Sequence, residues 1–136
     1  MEILQPMFGM IVLSGLLVMT LLISRIGPIV KFWGNLQFAQ HSEELRPQLP
    51  RRLRLITDNH NHLMEQPTLF YATCAYIFMT GHSDSFHLLL AWSYVAIRIA
   101  HTGIQLTTNN VSYRAISFGL SSACLVLMII REVISL

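Results

Sequence analysis

Charge is what this chain most lacks. Only 12% of its 136 residues are Asp, Glu, Lys or Arg, against about 25% in soluble domains. Hydrophobic residues make up 53%, and the mean hydropathy is +0.52. A water-soluble globule is a poor fit to those values, and the solvent they imply is lipid. The net charge of +2 is too small to argue for nucleic acid. Cysteine is also scarce. Cys74 and Cys124 both lie in apolar runs and read as small buried hydrophobes, which excludes a disulfide framework. No basic segment precedes the first apolar run and no small-residue cleavage motif follows it, so that run is expected to stay in the mature protein. There is no Ser-His-Asp grouping, phosphate loop or dinucleotide fingerprint.

What the chain does have is four apolar runs. A spanning helix needs about 20 mainly apolar residues, and lipid leaves helices as the sensible way to satisfy the backbone. Pro6 to Ser24 carries no charge, and Gly27-Pro28 reads as its breaker. Leu63 to Thr80 carries only Glu65, Phe86 to Leu106 only Arg98, and Ala115 to Ile130 is bracketed by Arg114 and Arg131. The expectation is an all-α membrane protein. It forms one domain over 1–136, a bundle of four transmembrane helices at about 5–26, 59–80, 85–106 and 112–134.

The connections are uneven: Gly81 to Ser85 is a tight turn, Thr107 to Ser112 a short polar loop, and 31–57 a long one. That long loop holds Lys31, Arg46, Arg51, Arg52 and Arg54, with Arg25 and Arg114 bordering the same face; Glu2, Asp84, Arg131 and Glu132 lie opposite. The positive-inside rule then puts loop 31–57 in the cytoplasm and both termini outside. The arginine cluster at 51–54 reads as topogenic and headgroup-facing. Gly9, Ser14, Gly15, Gly119, Ser121, Ser122 and Ala123 are small enough for close helix approach. Trp33, Trp92, Tyr71, Tyr76 and Tyr94 read as belt or packing aromatics.

Ionisable groups inside a span cost roughly 2.5–3.5 kcal/mol each at its centre, so their placement matters. Asp58, Asn61, His62 and Glu65 fall at i, i+3, i+4 and i+7, and Arg98, His101 and Gln105 at i, i+3 and i+7. Each set is one stripe of a helix, and Arg114 begins the fourth span at the same level. This layer offers donors for carboxylates, an acceptor for an ammonium group and an arginine for an anion, suiting a zwitterionic, peptide-like ligand. The bland alternative is a structural Glu65–Arg98 ion pair and a His101 that merely bonds across helices. His60 and His62 diverge on a helix, so no metal is expected. His82 and His87 look incidental at the far interface.

The stretch Asp58 to Tyr71, Asp-Asn-His-Asn-His-Leu-Met-Glu-Gln-Pro-Thr-Leu-Phe-Tyr, resembles the second-helix motif of the MAPEG family, the membrane-associated proteins in eicosanoid and glutathione metabolism. Arg98-Ile-Ala-His101-Thr, followed by Arg114 after a polar loop, resembles it too, closest to the prostaglandin E synthase branch and bacterial members. The resemblance implies a homotrimer of four-helix subunits in a membrane, by analogy a bacterial inner membrane, with glutathione as co-substrate between subunits. By that similarity Asn61, Glu65, Arg98 and His101 belong to the glutathione pocket. Gln105 stands at a pocket tyrosine's place and Arg25 is a weaker carry-over. Arg114 takes the place of the catalytic arginine that stabilises the thiolate. The sequence departs from the family's pattern at Asp58, His62, Gln105 and Ala115. The implied function is a glutathione-dependent transferase or peroxidase acting on lipophilic electrophiles. The alternative is a non-catalytic membrane protein whose polar layer is structural or binds a lipid headgroup or peptide.

Overall fold

A computed structural model describes residues 1–33, 54–55, 66–108 and 110–135, with backbone only for 25–33. Among the described residues it contains four long helices: α1 Leu4–Trp33, α2 Pro67–Thr80, α3 Ser85–Leu106 and α4 Val111–Ser135. Asp58, His60, Asn61, His62 and Glu65, the arginines at 46, 51 and 52, and the side chains of Arg25, Lys31 and Trp33 lie outside this description.

The expected stop at Gly27-Pro28 is overturned. The helix α1 passes through both residues to Trp33, giving 30 residues. At about 1.5 Å per residue it is roughly 45 Å long, more than a hydrocarbon core of about 30 Å requires. Proline removes one intrahelical hydrogen bond, a loss that membrane helices tolerate when local adjustment satisfies the freed backbone group.

Turn chemistry fixes the other ends. Gly81 closes α2 in the left-handed region, with φ of 74°, a conformation that costs any residue with a Cβ more. Its N–H donates to the Phe78 carbonyl at 3.3 Å. Asp84 caps α3, its carboxylate accepting from the His87 N–H at 2.8 Å. Asn110 Oδ1 accepts from the Ser112 N–H at 3.0 Å ahead of α4.

The helices α3 and α4 make the most extensive contact, while α1 packs on α2 and α3, and α2 also touches α4. Across the bundle, α2 and α3 meet through the stacked rings of Phe70 and Tyr94, 4.2 Å apart, a contact worth about 0.5–1.5 kcal/mol. Ile3, just ahead of α1, and Met10 and Leu17 within it recur every seven residues and are all buried, together with Cys74, Ile77, Leu90, Val95, Leu125 and Met128. Van der Waals packing of this kind, and not the hydrophobic effect, holds helices together in lipid.

The exterior is apolar. Phe8, Leu16, Met19, Ile23, Leu89, Ile99, Ile116, Leu120, Val133 and Ile134 are all exposed, while Arg98 and Gln105 are completely enclosed. That inversion of the usual order suits a bilayer. Two helices, Leu4–Ser24 of α1 and α4, are long and apolar enough by themselves to cross a membrane. The small residues divide. A methyl on Gly9 would touch Trp92 at 3.7 Å, whereas Gly15 and Gly119 face open space.

Candidate functional site

The stripe expected on α3 is buried along its length: Arg98 is 0% exposed, His101 4% and Gln105 0%. Thr102, on the same face, is buried with them. This face turns inward because α4 covers it, and α4 supplies hydroxyls where an apolar helix would leave polar atoms stranded.

Arg98 is held on three sides. Its Nε donates to Tyr94 Oη at 3.3 Å, and its Nη2 donates to Gln66 Oε1. Its guanidinium carbon sits 5.5 Å from the Tyr94 ring centre and 5.9 Å from that of Phe118, within reach of favourable cation–π attraction. The remaining terminal nitrogen, Nη1, is buried and finds no hydrogen-bond partner among the described residues. Thr102 Oγ1 and both amide atoms of Gln105 are in the same position. An orphaned buried polar atom costs about 1–3 kcal/mol, and four such atoms lie on this one helix face among the described residues.

His101 bridges to α4. Its Nδ1 lies 2.9 Å from Ser117 Oγ. Ser117 donates its own proton to the carbonyls of Tyr113, at 2.9 Å, and Arg114, at 3.1 Å. The serine oxygen therefore accepts, and the hydrogen-bond network assigns the imidazole proton to Nδ1. This short chain ties the third-helix stripe to the first turn of α4, where the half-buried Arg114 sits. So Arg98, His101, Gln105 and Arg114 belong to one end of the bundle. Asn61, Glu65 and the Arg25 side chain lie outside the described residues.

Three partners went unnoticed in the sequence. Gln66 stands between helices: Arg98 donates to its Oε1, and its Nε2 donates to Ser122 Oγ at 2.6 Å. Ser122 reads there as a packing residue and Ser117 is not singled out, yet both take hydrogen bonds from the polar layer.

The reading of His82 and His87 as incidental is also corrected. At the opposite end, His82 Nδ1 meets Glu132 Oε2 at 3.0 Å, and His87 Nε2 faces Glu132 Oε1 at 3.5 Å. His87 Nδ1 lies 3.1 Å from the His82 carbonyl. Asp84 pairs with Arg131, whose guanidinium lies 4.9 Å over the Phe86 ring. The N–H of His87 and, secondarily, the charge of Arg131 hold the Asp84 carboxyl below its usual range. Buried between two histidines, Glu132 also borders an apolar groove of about 380 Å³ between α2 and α4. Leu69, Ala72, Thr73, Tyr76, Ile129 and Val133 line the rest of it.

No curated protein and no solved structure matches the chain significantly. The family model for MAPEG, by contrast, matches residues 3–134. With four helices, an apolar exterior and a buried polar layer, nearly the whole chain thus belongs to the MAPEG family, as an integral membrane protein.

Proposed function

We propose that the chain is a glutathione-dependent membrane transferase or peroxidase acting on lipophilic electrophiles, working as a homotrimer with its polar layer at the cytoplasmic face. The observation that carries the reading is the enclosed α3 face. Arg98 presents an unpartnered Nη1, and one and two turns on, Thr102 and Gln105 present hydroxyl and amide atoms with no partner among the described residues. A peptide carboxylate and its neighbouring amides match that set of groups, since charge-assisted hydrogen bonds to guanidinium are the strong ones.

Glu65 and Asn61 would take the ammonium end of glutathione, with His101, Gln105 and Arg25 completing the pocket. Arg114 would act on the sulfur. A free thiol with a pKa of about 8.5 is mostly protonated at neutral pH, and lowering it by one unit takes about 1.4 kcal/mol, which one guanidinium supplies. The proton passes to solvent. The thiolate then attacks the electrophilic carbon, a carbon–sulfur bond forms, and the leaving group departs with its electron pair. The apolar co-substrate arrives sideways from lipid.

Arg114→Ala is expected to abolish the thiolate absorbance that appears when glutathione binds, while the trimer persists. Undiminished absorbance would remove Arg114 from its role. Melting in detergent with millimolar glutathione tests the larger reading. A shift supports it, and no shift leaves the non-catalytic alternative, in which the polar layer serves structure or a lipid headgroup.

A further inference from the structure

Gln66 does more than fill space between α2 and α4. Ser122 Oγ donates to the Phe118 carbonyl at 2.8 Å, so its lone pair is what the Gln66 amide nitrogen addresses at 2.6 Å. That contact fixes which way the amide faces. The nitrogen points to α4, and the oxygen is left toward Arg98, which donates Nη2 to it. Tyr94 holds the same guanidinium through Nε at 3.3 Å. A planar, five-donor group secured along two of its edges has no freedom to turn. What it leaves over is Nη1, buried and without a partner among the described residues.

We propose that Gln66 is a positioning residue: braced by Ser122, it latches Arg98 so that Nη1 is presented as the donor to a bound carboxylate. The latch joins α4 to α3 through Gln66, the residue that precedes α2, and so ties the direction of the anion-binding donor to the packing of the bundle. Preorganised donors bind anions better because the ordering cost has been met before the ligand arrives. The identification of that carboxylate with one of glutathione rests on the function proposed above; the latch itself does not.

The test uses full-length protein in detergent with ¹⁵N-labelled arginine, the Arg98 signals being assigned by their loss in Arg98→Lys. A latched guanidinium gives separate Nη1 and Nη2 resonances, and Gln66→Leu is expected to merge them. The same variant is expected to bind glutathione about tenfold more weakly, the size of losing one hydrogen bond to a charged group, and to add no further loss in the Arg98→Lys background. Gln66→Glu separates positioning from bulk structure. It keeps an acceptor for Arg98, so the resonances stay separate, but its charge occupies the guanidinium and weakens anion binding. Separate resonances that survive Gln66→Leu, resonances already merged in the parent, or losses that add in the double variant would each overturn the proposal. If the parent shows the latch but binds no glutathione, the functional reading fails and the latch stands.

Discussion

The two ends of the α3–α4 pair use similar side chains to opposite effect. At the turn end, Asp84, Arg131, His82, His87 and Glu132 close on one another. Arg131 has Asp84 beside it and both histidines face Glu132, and the two atoms without a hydrogen bond, His87 Nε2 and Glu132 Oε1, face each other at 3.5 Å. At the loop end, Arg98 and Gln105 are buried just as deeply, yet keep donors and acceptors with nothing to meet them among the described residues. A saturated polar cluster in a membrane protein ties helices together. An unsaturated one of equal burial retains a cost that a ligand would relieve.

The largest effect that separates the ends is expected from Arg98→Met. Met keeps the chain length but strands the Gln66 Oε1 that Arg98 addresses, so stability in detergent should fall by no more than about 1–3 kcal/mol. Glutathione affinity, measured by calorimetry, should fall about a hundredfold, roughly 2.7 kcal/mol. A melting collapse with affinity intact would reverse the comparison. Glu132→Ala is expected to do the opposite. Two histidines lose a shared buried acceptor, unfolding stability should drop by about 2–3 kcal/mol, and glutathione affinity should be unchanged.

Asp84→Ala sharpens the contrast further. Loss of the helix cap should cost about 1 kcal/mol. Because the folded-state pKa of Asp84 is depressed, its contribution is present above the unfolded value of about 3.9 and is lost as pH falls through the folded one. Melting followed downward from pH 5 should steepen below about pH 4 in the parent and flatten in the variant. The smallest change expected is Gly81→Ala, about 1 kcal/mol from placing a Cβ in the left-handed region, read as a lower melting temperature with binding unaffected.

Much of this architecture could be read from residue order. Apolar runs set by lipid thickness gave α3 at 85–106, and the period of Arg98, His101 and Gln105 placed them on one face, as the bundle has them. Proline at 28 misled because the rule for water-soluble helices is harsher than the one in lipid. The clasp around Glu132 was within reach, since Asp84, Arg131 and Glu132 already fell on one face. It was missed because its histidines find their acceptor on α4, with His82 50 positions from Glu132, and no local pattern records such pairing. Gln66 and Ser122 were hidden for a related reason. A glutamine before a proline and a serine among small residues look ordinary until two helices bring them to 2.6 Å. Asn61 and Glu65 lie in the span 56–65, outside the described residues, so their share of the site stays with the proposal.

The polar stripe of α3 has a consequence for biogenesis. The helices α1 and α4 are apolar enough to cross a bilayer unaided, but α3 brings Arg98, His101 and Gln105, and an arginine within a span partitions poorly on its own. Its shelter is α4, the helix it touches most and the next to leave the ribosome. Entry of the two as a hairpin would let that hydrophilic seam close before it meets lipid.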